Sequence, residues 1–413
     1  MKEKIAIVVS RFGEEIIGGS EKLAFDFSNV LKESFEVHVL TSTAIEIATW
    51  KNHFPQQTVN KNGITIHYFS VDQIRTAYWH DLHSQILKNP ESIMTLSIPF
   101  QEEIIRMQGP YSKSLFEHLI EHSNEYSAIF FFSYLYPFSY FGIRFLNSKV
   151  KKYLIPTFHN EAIAKLPVFS ENTKYYDKLI CLTSQEQSEM QKIWGSKNSV
   201  LLEPFLELPN LPSISKELQI VYVGRISKEK GVWELIEFFE YFLQKNPQFQ
   251  KKLKLKIIGT EELSLPKAEQ VEYLGTLDRV SVLKQIAKSA LLVVPSIHES
   301  LSFTTLEAFH LGTPVLYNSQ SKVVHSHIQK TEYGLSYSSK DEFTKNLEMV
   351  LEGSISFDHE KAKAYVFKKY SKEKFTSNLI SLIVHQGKTK KAKGLVTKKT
   401  LNKNKGERPK QTK

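Results

Sequence analysis

Two short stretches in the second half of this 413-residue chain hold the side chains best suited to chemistry. The first, Gly224 to Gly231, reads GRISKEKG and lies between an apolar β-branched run and an amphipathic one. Glycine lets a backbone approach a phosphate closely, and a helix that follows turns its first N–H groups toward the anion. Arg225 adds a bidentate fork and Lys230 a point charge, a pair suited to a diphosphate. Lys228, on the same loop, reads as a solvated surface charge. The second stretch, Pro295 to Glu307, reads PSIHESLSFTTLE. Glu299 falls in a loop and Glu307 eight positions on, in a helix. A carboxylate accepts several hydrogen bonds, so one of these can hold sugar hydroxyls and the other a ribose. Between them the N–H groups of Ser302, Phe303 and Thr304 open that helix toward a phosphate.

The elements that must position these loops repeat a strand–helix pattern. From Leu218 the chain runs LQIVYVG, a loop, GVWELIEFFEYFLQ, LKLKIIG, VEYLG, RVSVLKQIAKSA, LLVVP, a loop, TTLEAFHLG and PVLYN. Helices from Lys340 to Gln386 are expected to close this half. The first half opens in the same way, with KIAIVVS, a loop containing Gly18 and Gly19, the helical run SEKLAFDFSNVLKE and the strand EVHVLTS. Leu23, Ala24, Phe27, Val30 and Leu31 share one helical face, Ser20 is the expected cap, and Glu21 suits the positive end. Further strands are expected at ITIHYFS, AIFFFS, KKYLIPTFHNE and KLICLTS, with helices and loops around Trp79 and Gln108 to Pro110 at the mouth of a cleft. Short apolar strands joined by helices imply parallel sheets. Four regions follow: a Rossmann-like domain at 1–202, a proline-rich linker at 203–216, a second Rossmann-like domain at 217–386, and a tail at 387–413. The fold class is α/β, with two doubly wound domains facing a central cleft and ligands beyond the strands' C-terminal ends.

These motifs resemble the retaining GT-B glycosyltransferases of family 4, the group 1 glycosyl transferases. That family carries two glutamates separated by seven residues, as Glu299 and Glu307 are, behind a Gly-Arg…Lys-Gly loop matched by Gly224, Arg225, Lys230 and Gly231. The resemblance implies that Glu299 contacts a donor sugar, that Glu307 contacts the ribose, and that Arg225 and Lys230 hold the diphosphate. Gly18 and Gly19 resemble the family's Gly-Gly loop against the donor phosphate. His159, flanked by Asn160 and Glu161, resembles the family histidine near the transferred sugar. The chain departs from the pattern at Ser300 and Ser302, where many members have glycine; the expected backbone path is the same. The resemblance spans most of residues 1–386.

What it implies is a transferase moving a hexosyl or related sugar from a nucleotide diphosphate sugar to a glycan, lipid or protein, with retention. No cofactor is expected beyond the donor itself. No Asp-x-Asp occurs, so Arg225, Lys230 and helix N-termini are expected to replace a metal ion in facing the leaving diphosphate. A Rossmann-type dinucleotide enzyme is disfavoured, since no G-x-G-x-x-G follows either opening strand. A catalytically inactive GT-B partner or scaffold subunit is the alternative, opposed by the intact Glu299, Glu307, Arg225 and Lys230. A sugar epimerase or phosphorolytic enzyme on the same fold would need no separate acceptor.

Composition bounds the rest. With 41% apolar and 24% charged residues, the chain has an ordinary soluble balance. The net charge of +10 lies entirely in the tail: Gly387 to Lys413 hold eleven Lys or Arg and one acid, leaving 43 of each sign before them. The tail's composition reads as disordered, and solubility, an anionic membrane surface or nucleic acid compete as its role. No recognisable nucleic-acid module or aromatic interleaving supports the last, and no specific nucleic-acid partner is expected. Cys181, the single cysteine, reads as a buried core thiol, which rules out an internal disulfide. The opening residues lack the pattern of a signal peptide, and no apolar run is long enough to span a membrane. A cytoplasmic protein, peripheral at most to the inner face of the membrane, is expected.

Overall fold

A computed structural model describes residues 2–384, apart from 14, 15, 17, 90, 147, 148, 210, 212, 213, 262, 263 and 267. The basic tail lies outside the described residues. The first sheet is built from β1 (Lys4–Val8), β2 (Glu36–Ser42), β3 (Gln57–Lys61), β4 (Ile64–Phe69), β5 (Tyr126–Phe132), β6 (Lys151–Ile155), β7 (Lys178–Cys181) and β8 (Ser199–Leu201). The second comprises β9 (Glu217–Val223), β10 (Lys254–Ile258), β11 (Val271–Tyr273), β12 (Ser289–Val294), β13 (Val315–Asn318) and β14 (Gly334–Tyr337). Around the first pack α1 (Gly19–Leu31), α2 (Ala77–Lys88), α3 (Ile98–Gln108), α4 (Lys113–His122), α5 (Pro137–Tyr140), α6 (Pro167–Asn172) and α7 (Ser184–Trp194). Around the second lie α8 (Val232–Lys245), α9 (Arg279–Lys288), α10 (Phe303–Leu311), α11 (Lys322–Thr331), α12 (Lys340–Leu351) and α13 (His359–Lys369), and α14 (Lys372–Ile383) ends the fold.

The strand orders are β3-β4-β2-β1-β5-β6-β7-β8 and β11-β10-β9-β12-β13-β14. All neighbours run parallel except β3, which lies antiparallel on β4. The central strands are apolar on both faces because helices cover both, as KIAIV in β1 and LLVV in β12 show. β3 reads QTVNK and is an exposed polar edge, which is why hydrophobic pattern did not reveal it. The expected face of α1 is buried at Leu23, Ala24, Phe27, Val30 and Leu31. Its cap differs from expectation: Gly18 occupies the N-cap position without a side-chain bond, and Ser20 lies inside the first turn.

The last helix returns to the first sheet, so the closing helices do not all belong to the second domain. Phe375 on α14 meets Phe27 on α1 at 5.0 Å and Phe205 in the linker at 5.2 Å. The Tyr153 hydroxyl donates to the Leu382 carbonyl at 2.6 Å, and Lys151 reaches the Ile383 carbonyl. Cys181 is fully buried, as expected of a core thiol. Among the described residues no helix is long and apolar enough to cross a membrane.

A histidine cluster closes one end of the first sheet. His67 Nε2 lies 3.1 Å from His38 Nδ1, the Tyr126 hydroxyl lies 3.3 Å from the same nitrogen, and His118 Nε2 lies 3.2 Å from that hydroxyl. Burial first, and the nearby histidines second, pull His67 and His118 down to about 4 from an ordinary 6.5. Both rings are neutral at pH 7, whereas the unfolded chain takes up their protons below 6.5. Their contribution is therefore complete above pH 6.5 and is lost as pH falls through about 4. The urea midpoint should drop between pH 7 and pH 4.5, and drop less in a His67→Gln, His118→Gln double variant. Parallel profiles for the two proteins would show that the cluster carries no such linkage.

Candidate active site

Both sheets reverse their winding at one internal point, and ligands of such sheets bind beside it. In the second sheet β9 lies between β10 and β12. The loops leaving β9 and β12 are GRISKEKG and PSIHESLS, the two stretches singled out by their chemistry. Lys230 Nζ donates to Glu299 Oε1 at 2.8 Å, so the expected phosphate cation and sugar carboxylate are partners. Arg225 is exposed one residue beyond Gly224, its backbone carbonyl held by the Tyr222 hydroxyl at 2.6 Å, and Lys228 is exposed as well.

The path of the first loop depends on a close backbone crossing. Gly224 N–H donates to Ile258, and Ile226 N–H to Thr260, both at 2.9 Å. A Cβ on Gly259 would stand 1.8 Å from the Gly224 carbonyl oxygen. In the second loop Ser302 holds φ 60°, ψ 73°, the left-handed conformation that glycine adopts freely. The expected backbone path is kept with serine, at a cost of roughly 1–2 kcal/mol. Its hydroxyl meets that of Thr305 at 2.9 Å. Phe303 and Thr304 then begin α10, and Glu307 follows on its buried side, with no exposure. Neither carboxylate oxygen of Glu307 has a hydrogen bond, but Arg279 Nη1 lies 2.6 Å from Oε1.

The first domain faces these loops with the loop after β1 and the loop after β6. Arg11, buried, donates through Nε to Glu21 Oε1 at 2.9 Å and through Nη1 to the Ile45 carbonyl at 2.7 Å. That pair fixes the start of α1, where a Cβ on Gly18 would strike the Glu21 carboxylate and one on Gly19 would meet nothing within 4 Å. Lys22 lies over the Phe303 ring at 4.9 Å, which sets the two helix N-termini against one another. Across the cleft His159 Nδ1 is shut off from solvent without a hydrogen-bond partner. Burial, then the charges of Lys230, His298 and Arg225, push this imidazole down to about 3. It is a neutral ring at pH 7, able to donate or accept but not to carry charge.

Glu186, which pattern reading missed, holds the His159 loop. Its buried carboxylate accepts from the Phe158 and Leu182 N–H groups, each at 2.6 Å, while its own N–H bonds the Thr183 hydroxyl at 3.0 Å. The Thr183-x-x-Glu186 capping box is the signal that could have revealed it. Glu189 on the next turn accepts from Lys322 of the other domain at 2.8 Å and from Asn160 at 3.2 Å. Thr183 also bonds the Ser300 carbonyl across the cleft at 3.1 Å. Glu161 is turned inward to the Tyr134 hydroxyl at 2.8 Å. These groups enclose a cavity of about 390 Å³ lined by His159, Asn160, Glu189, His298, Glu299 and Lys322, among others.

Of the residues expected from sequence, His159, Glu299 and Lys230 thus share one cavity wall or its rim, while Arg225 stands at the exposed edge. Glu307 lies beneath the surface of α10, and Gly18 and Gly19 line the facing helix start. Among the described residues no group of three or more His, Cys, Asp or Glu side chains is placed to hold a metal ion. Two glycines separate a folding role from a ligand role. Gly259→Ala should cost at least about 1–3 kcal/mol, because backbone must move. Gly19→Ala should unfold within about 0.5 kcal/mol of the parent yet bind a nucleoside diphosphate more weakly by calorimetry. Equal binding would take Gly19 out of the ligand's path.

Comparison with known proteins adds to this geometry. Residues 207–374 match the family described as Glycosyl transferases group 1. An uncharacterized glycosyltransferase of Methanocaldococcus jannaschii is 27% identical over 165 residues, 35% of this chain and 40% of its own length. A second from the same organism is 31% identical over 113 residues, 25% of this chain and 27% of its own length. The chain therefore spans less than half the length of these curated relatives. Among solved structures, sucrose-phosphate synthase from Thermosynechococcus elongatus superposes with a TM-score of 0.67 at 14% identity, over 92% of this chain and 98% of that one. An Anabaena protein in complex with UDP and glucose gives 0.64 at 11% identity, over 92% and 99%. The E. coli trehalose-6-phosphate protein bound with UDP-2-fluoro glucose gives 0.62 at 15%, over 92% and 99%. The fold is GT-B.

Proposed function

We propose that this chain is a metal-independent glycosyltransferase of the family 4 kind, moving a hexosyl or related sugar from a nucleoside diphosphate donor to a hydroxyl of a glycan, lipid or protein. The observation that carries the reading is the Lys230–Glu299 pair beside His159, at the point where both sheets reverse. The match of residues 207–374 to group 1 glycosyl transferases supports it, as do the bound UDP and glucose of a structure with the same fold. Intact carboxylates and cations favour a working enzyme over an inactive partner subunit.

The donor's diphosphate takes Lys230 from Glu299 and meets Arg225 as well. Glu299, released, accepts hydrogen bonds from the sugar hydroxyls. As the bond from the anomeric carbon to the phosphate oxygen breaks, negative charge grows on the leaving diphosphate, and the two cations stabilise it where water is excluded. The sugar becomes oxocarbenium-like, the acceptor oxygen bonds to the anomeric carbon on the face being vacated, and the acceptor proton passes to the leaving phosphate. Configuration is retained. His159, neutral, supports the sugar by hydrogen bonding. The reading places the protein in the cytoplasm, with the basic tail at 387–413 able to meet an anionic membrane surface.

Thermal unfolding with UDP, GDP, ADP and dTDP, and their sugar conjugates, tests this before any acceptor is known. A ligand at 100 times its dissociation constant stabilises by about 2.7 kcal/mol. One nucleotide family should shift the midpoint, unchanged by EDTA and absent in Arg225→Ala. No shift with any of them would replace the enzyme with the partner subunit. Loss of one member of a desolvated charge pair costs about 2–5 kcal/mol, so Arg225→Ala should lower turnover of the donor by roughly 30-fold to several thousand-fold. His159→Gln should slow turnover at saturating donor while leaving the pH profile between 5 and 8 with its original shape, because a ring held near 3 does not titrate there. An acid limb that disappears in this variant would show that His159 titrates in catalysis.

A further inference from the structure

We infer that Arg279 is a positioning residue for Glu307 and thereby sets a preference for ribonucleotides over 2′-deoxyribonucleotides. This rests on the donor-binding reading above. Four observations lead to it. Glu307 has no exposure and both its carboxylate oxygens lack a hydrogen bond, which is costly for a buried ionised group unless something answers its charge. Among the described residues Arg279 is the cation in ion-pair contact with it, at 2.6 Å and off the line of a hydrogen bond. The lone pairs are unsatisfied and closed to solvent in this conformation, and a ligand with hydroxyl donors that reaches them supplies the bonds they lack.

Arg279 also stands where helix electrostatics disfavours a cation, as the first residue of α9. The start of that helix is fixed by Asp278, whose side chain accepts from the Ser281 N–H at 3.0 Å. A cation held at the positive end of a helix needs a compensating partner, and Glu307 on the adjoining α10 supplies it. Finally, the Arg279 side chain is 41% exposed while the Glu307 side chain it meets is buried. It therefore stands beside α10, whose first residue, Phe303, lies under Lys22 of the other domain. A ribose whose 2′- and 3′-hydroxyls donate to the two Glu307 oxygens completes this arrangement. The guanidinium fixes the carboxylate's charge and orientation while the sugar supplies the missing hydrogen bonds.

The probe is whichever of UDP, GDP and ADP the unmodified protein binds most tightly, titrated by calorimetry beside its 2′-deoxy counterpart. A site built around a hydroxyl rejects the analogue that lacks it, so the parent should favour the ribonucleotide by about tenfold or more. In Arg279→Gln that preference should fall below about threefold, with donor KM raised and kcat changed much less. Arg279→Lys keeps the buried charge answered but loses the rigid fork, and should show an intermediate preference. It also serves where the glutamine variant does not fold. A folded Arg279→Gln or Arg279→Lys protein with the full parental preference overturns the assignment, as does a parent that binds both nucleotides equally. A parent that binds none of the three nucleoside diphosphates defeats the glycosyltransferase reading instead, so the two failures are distinct.

Discussion

A diphosphate site needs positive charge in a cleft from which water is largely excluded, and unpaired charge there is expensive. The rest of the structure follows from how that cost is met by ion pairs. Lys230 is paired with Glu299, Arg279 with Glu307, Arg11 with Glu21, and Lys22 with Asp26. Each pair is made within one domain, and each has its cation at the first turn of a helix or in a loop leading to one. On the proposed reading a donor diphosphate would take Lys230 from Glu299, so that a ligand enters by exchanging partners. Such an exchange costs less than desolvating a free lysine at the moment of binding. It would also account for the pairing of the two carboxylates, Glu299 and Glu307, with cations.

The second requirement is backbone proximity, and here the chain uses very little space. Gly259 and Gly224 touch through their main chains, so the loop bearing Arg225 cannot shift toward β10. Ser302 accepts a left-handed conformation to keep α10 aimed at the same point. Gly19 alone, of these positions, opens onto empty space. The loops after β9 and β12 each carry a tight backbone constraint, while the strands beneath them are buried along most of their length. A rigid sheet under strained loops is the arrangement that holds side chains to within a fraction of an ångström.

How much of this could be read in advance depended on whether the signal was local. Alternating β-branched runs and helical stripes revealed the two sheets, because each central strand is buried on both faces and each helix on one. The spacing of Glu299 and Glu307 and the glycine–cation loop were legible because those residues lie close in sequence, and the structure brings Lys230 and Glu299 together while Glu307 lies buried in α10. β3, β8 and β14 were missed for lack of apolar content or length. Arg279 was missed for a different reason: its partner is 28 positions away, and no periodicity marks a cation whose meaning comes from a buried carboxylate on another helix. Glu186 did carry a local signal, the capping box with Thr183, but its second role at Phe158 is long-range. The return of α14 to the first sheet was equally hidden, because its amphipathic face would suit either domain.

That return decides how the cleft can move. The chain crosses between the domains twice, once in the linker and once between α13 and α14. The two crossings are tied together, the Leu206 N–H bonding the Tyr370 carbonyl at 2.9 Å. Glu203 takes Lys369 at 3.0 Å and Lys374 at 2.7 Å, and Phe205 packs on Phe375, so the crossing point is both charged and apolar in its contacts. Two adjacent covalent connections with such packing resist sliding and leave rotation about the crossing as the inexpensive motion. Among the described residues the contacts that rotation would strain include Lys322 with Glu189, Thr183 with the Ser300 carbonyl, and Lys22 over Phe303. All three lie within a few residues of the cavity wall or the helix starts that face it. Each joins a residue of the first domain to one of the second, so any rotation about the crossing changes the geometry of the cleft itself.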